Sequence, residues 1–378
     1  MSSSSRDEQA LGAIAMRRLR TQRLAGPGFR SPADAVSALV AVQSQDYAGA
    51  KWALGQRTEG VKDSDLDRLF DDGAILRTHV MRPTWHFVTP ADIAWLLHLT
   101  APRVKAILAV YDRRLEIDPA LLKRAGTVME KALRDGNHLT RTELSARLRR
   151  ARIEATGQRL GHLVMHAELD GLIASGSRKG KQFTYALLAE RAPETRRLAR
   201  DDALAELAMR FFTGHGPAQL VDFAWWSGLT VADGKRGVGQ AGSALMSEVI
   251  DGKTYWSAGP ASTTRRAHAP YVHLLPNYDE LLVAYRDRSA LLHPTLVTDA
   301  SSLIAHVVAV DGQVRGGWRR TMDRGRLVVE LGPMQPLDAV TLTALDGSAQ
   351  RLSRFTGLPV TVARPHRSAW LRRRTGWD

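Results

Sequence analysis

The chain has 378 residues, 44% of them apolar, with 53 Lys and Arg against 39 Asp and Glu and no cysteine. Without cysteine, disulfide scaffolds, cysteine-containing zinc sites, iron–sulfur clusters and thiol nucleophiles are excluded on residue supply alone, and the length suits two or three modules of a soluble, cytoplasmic, globular protein. The formal net charge of +14 makes a polyanion the first partner to consider, because each neutralised phosphate releases counterions.

Residues 1–6 form a serine run without an apolar core, which reads as a frayed tail and not as a signal peptide, so no export is expected. Leu11, Ile14, Ala15, Leu19 and Leu24 fall close to helical spacing and predict a helix over 7–24 that ends before Gly26-Pro27-Gly28. Ser31 as N-cap and Pro32 at the first helical position predict a second helix, running through Val36, Leu39, Val40 and Val42 toward Gln43. A third begins near Tyr47 and a fourth near Asp63, and the β-rich run 76–88 predicts strands after this helical cluster. The apolar run 93–97 breaks at His98, short of the ~20 residues that span a bilayer, so no membrane segment is expected.

Pro119 opens a second block, with a helix to about 134, and Thr140 with Glu143 forms a capping box before a short helix to Arg152. A further helix over 158–169 stops at Asp170-Gly171, and strands over 172–175 and 182–188 flank the basic tip 176–181. Helix, turn, helix and a hairpin with a basic tip describe a winged helix. A third block repeats the pattern: a helix over 201–212, a break at Gly214-His215-Gly216, and Pro217 opening a helix through Leu220, Phe223 and Trp225. A Gly-rich helix is then predicted over 229–244, followed by a hairpin around Asp251-Gly252. From His268 the chain reads as mainly β, with a meander over 302–331 turning at Asp311-Gly312 and Asp323-Arg324-Gly325. The basic stretch 364–374 reads either as a phosphate clamp or as a solvated tail.

Gly237-Val238-Gly239-Gln240-Ala241-Gly242 matches a dinucleotide-binding glycine pattern, but no strand precedes it and no acid follows at about 20 residues. It reads as a turn and helix start, and no nucleotide cofactor is expected. His162 and His166 share a helix face near Glu168, yet no third ligand is identifiable, so a polar face near nucleic acid is expected in place of a metal site. No Ser-centred elbow and no phosphate-binding loop occur. Arg178, Lys179 and Lys181 at the wing tip, and Arg315, Arg319, Arg320 and Arg324 on the later hairpin, read as DNA contacts or as ordinary exposed charge. Gln43-Ser44-Gln45 alone is a bland pair of amides at a helix end.

Several segments together resemble a known family. Val42-Gln43-Ser44-Gln45-Asp46-Tyr47 followed by Ala50-Lys51-Trp52-Ala53-Leu54-Gly55 looks like the Gln-x-Gln signature of AlkZ/YcaQ-like winged-helix DNA glycosylases. Residues 77–86, Asp170-Gly171-Leu172-Ile173 and Leu274-Leu275-Pro276-Asn277-Tyr278-Asp279-Glu280 agree with it, in an order that spans about 10 to 370. The resemblance implies an α+β fold of three tandem winged-helix units in a C-shaped body around duplex DNA, here 8–118, 119–198 and 199–378, with a C-terminal β-rich part and a projecting hairpin. It implies a monomer that excises N7-alkylated purines without a metal or other cofactor. With Gln at both positions the chain resembles the antibiotic self-resistance branch, some of whose members remove bulky adducts and interstrand crosslinks, and not the broader-substrate branch, which has Asp at the second position.

The family's catalytic pair falls on Gln43 and Gln45. An amide cannot take a proton as a carboxylate does, so the pair is expected to orient a water and stabilise a cationic sugar by its carbonyl dipoles. That suffices when the leaving group is already activated, as a positively charged N7-alkylguanine is. His79, Arg82, Trp85 and His86, with Asn277 and Asp279, are expected to line the site, Trp85 reading equally as core and Asp279 as a structural cap. The hairpin from Gln313 is expected in the minor groove, with the wings and Arg141, Arg149 and Arg150 on phosphates. The Gly-rich 234–242 segment departs from the Ala/Leu-rich helix expected there and is expected to loosen the third unit. A competing reading is a non-catalytic winged-helix protein, either a transcription regulator or an adduct-sequestering factor; regulators usually pair modules on palindromic half-sites, which a chain with several modules and no dimerising helix does not need.

Overall fold

Side-chain caps fix where many helices begin in the computed structural model, which describes residues 3–259, 269–292 and 306–363. Ser31 accepts the Asp34 amide before Pro32–Leu39, Asp46 accepts that of Gly49 before Tyr47–Arg57, and Asp118 accepts that of Leu121 before Pro119–Leu133. Thr140 and Glu143 exchange bonds reciprocally at the start of Arg141–Arg150, as expected. Each such cap satisfies an amide left without a helical partner and stabilises by about 1 kcal/mol.

The second predicted helix is shorter than its apolar run. It ends at Leu39, Val40 turns to φ 68, and the chain emerges as strand β1 (Val42–Gln43). β2 (Leu76–His79) and β3 (Trp85–Val88) complete a three-stranded antiparallel sheet of order β1-β3-β2. Gln43 pairs with His86, and His86 with Thr78; Val42 pairs with Phe87, and His79 with Trp85. Because side chains alternate across a strand, Gln43, His86 and Thr78 share one face, and Val42, Phe87, Trp85, Arg77 and His79 the other.

Ile93–Arg114 is a single helix of 22 residues, long and apolar enough to cross a bilayer by length and composition. The expected break at His98 does not occur, because His98 is exposed on the outer side while Trp95, Leu96, Leu99 and Val104 are buried. The Pro119–Leu133, Arg141–Arg150 and Gly157–Leu169 helices then pack with a sheet of β4 (Leu139–Thr140), β5 (Ile173–Lys179) and β6 (Gln182–Leu187), in order β4-β6-β5. They enclose a core of their own that includes Met129, Leu133, Leu144, Leu148, Leu163 and Ile173. The largest core cluster runs instead from Leu19 to Val314.

The Arg200–His215 helix continues through the expected break, and the next helix starts at Leu220 and not at Pro217. Gly214 serves close packing: a Cβ there would lie 2.7 Å from the Ala38 carbonyl oxygen. The Gly-rich segment forms the Val231–Ala241 helix, so Gly234, Gly237 and Gly239 are helical, while Gly242 ends the helix at φ 56. Nor is the segment loose, since a Cβ on Gly237 would sit 2.6 Å from the Leu204 carbonyl oxygen on the neighbouring helix. β7 (Met246–Ile250) and β8 (Lys253–Ser257) form the expected hairpin.

β9 (Val272–Leu275), β10 (Val307–Val310), β11 (Gln313–Asp323) and β12 (Arg326–Pro333) form an antiparallel meander, with Met322 and the tip residues 323–326 exposed. β13 (Val360–Ala363) adds parallel to β12 and closes a sheet of order β13-β12-β11-β10-β9. The parallel step needs a crossover, supplied by a helix, Ala339–Thr356, that the β-rich reading missed. Its signals were present: Asp338 caps it and Gly357 ends it at φ 70. Residues 302–305 of the predicted meander and the basic stretch 364–374 lie outside the described residues.

Candidate active site

β1 is an edge strand, so its outward N–H groups have no strand partner. The Gln43 amide is met by a side chain: it donates to Glu280 Oε1 at 2.8 Å. Glu280 begins the short helix Glu280–Val283, is 0% exposed, and accepts the Trp226 indole N–H at 2.9 Å through Oε2. His215 Nε2 lies 3.5 Å from the same oxygen. Burial by itself would raise the Glu280 pKa, but His215, the Gln43 amide and Arg82 outweigh it and hold the carboxyl below its usual range.

The Gln43 side chain is held as well. Its Oε1 accepts from Arg82 at 3.2 Å, and the same Arg82 nitrogen lies 3.4 Å from His86 Nε2. His86 Nδ1 donates to the Thr84 carbonyl at 2.9 Å, which leaves Nε2 as the acceptor facing Arg82. Burial, reinforced by the Arg82 charge, pushes the His86 pKa down to about 3, so the ring is neutral near pH 7. Burial also lowers the Arg82 pKa, Glu280 opposes that, and Arg288 adds to it by repulsion.

Gln43 is only 7% exposed, whereas Gln45 is exposed. Gln45 Oε1 accepts the Trp85 amide at 3.4 Å, and the Ser44 amide donates to the Trp85 carbonyl at 2.8 Å. Arg77 Nε reaches the Ser44 carbonyl at 3.2 Å. The motif is therefore a strand end stitched to β3 and not a helix end. Asn277 comes near from another segment: a Cβ on Gly49 would lie 3.1 Å from its Oδ1, a buried oxygen with no hydrogen bond among the described residues.

The expected lining set divides. Arg82 and His86 gather on the Gln43 face. His79 and Trp85 stand on the opposite face, where the His79 ring lies 4.4 Å from Trp85 and His79 Nδ1 meets the buried Glu168 at 2.5 Å. Arg77 stacks there over Trp85 and Phe183, at 4.3 and 4.6 Å. Asp279 turns away as well: its oxygens take Arg57 at 2.7 and 2.8 Å in a buried pair, and it caps the helix that carries Glu280.

The basic residues also divide. Arg178 is bound to Asp67 and Asp71 under the tip, Lys179 to Glu143, and Arg319 to Glu330. Arg315 donates to Gln313 at 3.1 Å and Arg141 to the Gly157 carbonyl at 3.1 Å. Arg149, Arg150, Lys181 and Arg324 are exposed, and together with the half-buried Arg320 they form no ion pair or side-chain hydrogen bond among the described residues. His162 and His166 each contact one oxygen of Asp112 at 2.8 Å, which explains their spacing, and no cluster of metal-ligating residues occurs among the described residues.

Sequence reasoning missed Glu280, His215 and Trp226. A signal existed for Glu280, a carboxylate opening the apolar run Glu280-Leu281-Leu282-Val283, because an acid in a buried segment needs partners.

Residues 36–355 match the family described as DNA glycosylase AlkZ-like. The interstrand DNA cross-link repair glycosylase of Streptomyces sahachiroi is 24% identical over 351 residues, covering 88% of this chain and 93% of that protein. The solved structure of Streptomyces sahachiroi DNA glycosylase AlkZ has the same fold, with a TM-score of 0.75 and 24% identity over 96% of this chain and 100% of that one. With its Gln43–Glu280 contact set in that fold, the chain belongs to the AlkZ-like DNA glycosylase family and is an enzyme of the DNA N-glycosylase kind.

Proposed function

We propose that the protein hydrolyses the N-glycosidic bond of cationic N7-alkylated purines in duplex DNA, acting as a cytoplasmic monomer, and that its targets include bulky or crosslinking adducts. The observation that carries this reading is Gln43 held at both its amide and its side chain, with the exposed Gln45 two residues on. A water held between two fixed amides needs little further ordering before it attacks the sugar carbon. As the C–N bond breaks, its electron pair neutralises the cationic base, which leaves; the glutamine carbonyl dipoles stabilise the developing sugar cation, the water oxygen bonds to the sugar carbon, and its proton passes to bulk solvent and not to either glutamine. Glu280 offsets part of the Arg82 charge on this face, which eases the approach of a cationic base.

The crosslink part of the proposal draws on the Streptomyces relative's name. We take the body as three winged-helix units, 8–118, 119–198 and 199–378, wrapped in a C around the duplex; the self-contained core of the second unit supports this division. Arg149, Arg150 and Lys181 are then available for phosphates, and the hairpin tip at Arg324 for the minor groove.

The test is to incubate the protein, in chelator, with duplexes bearing N7-methylguanine or a bulky N7-guanine adduct, then heat in alkali and look for breaks at abasic sites. Cleavage that falls by about 10²-fold in Gln43→Ala/Gln45→Ala supports the mechanism. An unchanged rate in the double variant rejects it.

A further inference from the structure

Beside the Glu280–Gln43 contact stands a cationic cluster with an aromatic floor. Trp225 is 39% exposed, and its indole N–H donates to the Val283 carbonyl at 3.0 Å, at the end of the helix that Glu280 begins. Its neighbour Trp226 donates to Glu280 itself. The end of the same Leu220–Ser227 helix abuts the Arg82 loop, for a Cβ on Gly228 would lie 2.1 Å from the Met81 carbonyl oxygen. Trp225 is thus anchored to the same two segments that hold Gln43.

Arg286 and Arg288 place their guanidinium carbons 5.3 and 5.8 Å from the Trp225 ring centre. Arg286 is exposed; Arg288 is half-buried, with its Nε buried and without a hydrogen-bond partner. Among the described residues neither guanidinium has a hydrogen bond or an ion pair. Asp287 lies between them in sequence but is engaged by Lys253 and Gln219, each at 2.8 Å. Burial and then repulsion from Arg286 lower the Arg288 pKa, and Arg288 in turn repels Arg82.

Two like charges held together without a counter-ion are unfavourable, and cation–π contact with an indole keeps them near the ring without neutralising them. A guanidinium presents a planar fork that fits phosphate oxygens. Glu280 offsets the Arg82 charge, whereas no acid is bound to Arg286 or Arg288 among the described residues.

We propose that Arg286 and Arg288, braced by Trp225, form a phosphodiester site that grips a backbone phosphate next to the nucleotide entering the Gln43/Gln45 site. It rests on the excision reading for the identity of that nucleotide. The ligand is a DNA backbone phosphate and not free phosphate, because the cluster flanks the site where the target strand must pass.

The experiment uses the full chain and a duplex with an uncleavable abasic analogue, in a series where single methylphosphonate linkages neutralise one phosphate at a time on either side. The wild type loses about tenfold in affinity at one or two linkages beside the analogue. Arg286→Gln/Arg288→Gln loses that much on the unmodified duplex, becomes indifferent to the same linkages, and shows a slope of log affinity against log salt shallower by about 1 to 2. A double variant that keeps the wild-type slope and linkage profile overturns the site. Should that variant not fold, the wild-type scan decides: equal affinity across all linkages beside the analogue overturns the site. Since binding is read on an uncleavable duplex, failure of excision would reject the glycosidic reading without altering this result.

Discussion

Glu280 Oε1 accepts the backbone amide of Gln43 at 2.8 Å across 237 residues of sequence. The contact joins the last acid of one motif to the first glutamine of another. It gives the edge strand an acceptor it would otherwise lack, and Arg82, close to the same carboxylate, grips the Gln43 side chain.

Glu280→Gln retains an acceptor oxygen and removes the charge. The charge that draws in the Trp226 indole and His215 and offsets that of Arg82 is then gone, so stability falls by about 1 to 3 kcal/mol and single-turnover excision slows by at least about tenfold. Urea unfolding and quenched-flow excision check the two effects. The Glu280 pKa is depressed in the folded state, so its contribution is present above the unfolded carboxylate pKa and is lost as pH falls through the folded value. Acid unfolding of Glu280→Gln should accordingly depend less on pH than that of the wild type.

His86 titrates at about 3 when folded, against an unfolded value near 6.5. A depressed histidine stabilises the fold above the unfolded pKa, and that contribution declines as pH drops from about 6.5 toward the folded value. His86→Gln should flatten the stability profile over that window. Excision between pH 6 and 8 should show no step belonging to His86; a step removed by His86→Gln would contradict its neutral assignment.

Gln43 and Gln45 differ in exposure, and their alanine variants should differ in stability. Gln43→Ala strips Arg82 of an acceptor inside the protein and should lower stability by about 1 to 3 kcal/mol. Gln45→Ala, at an exposed position, should stay within about 0.5 kcal/mol of the wild type while still slowing excision. Thermal denaturation beside single-turnover rates separates folding from chemistry.

Gly237→Ala puts a methyl 2.6 Å from the Leu204 carbonyl oxygen, a backbone atom that cannot rotate away. The helix pair must separate, at about 1 to 3 kcal/mol. Gly239→Ala, two residues on with open space at its Cβ, should stabilise by up to about 1 kcal/mol through helix propensity. Equal melting points for the two variants would remove the close-packing explanation.

Local signals carried much of the architecture. Ser31-Pro32, the Thr140/Glu143 box, the β-rich run before Val88 and the turn at Asp323-Arg324-Gly325 encode their elements in side chains that act within a few residues. Gln43 and Gln45 were legible through their resemblance to a family motif, and Arg82 and His86, expected near Gln43, do contact it or each other in the fold. His79 and Trp85 were assigned to the same place because a sequence does not display the pleat: one residue of alternation sends neighbours to opposite faces. Asp279 was read beside Glu280, and only the position of Arg57 shows which acid pairs and which one faces the motif. Tertiary structure decided these matters because a buried carboxylate, an edge-strand amide and a guanidinium must each find a partner, and those partners lie far away along the chain.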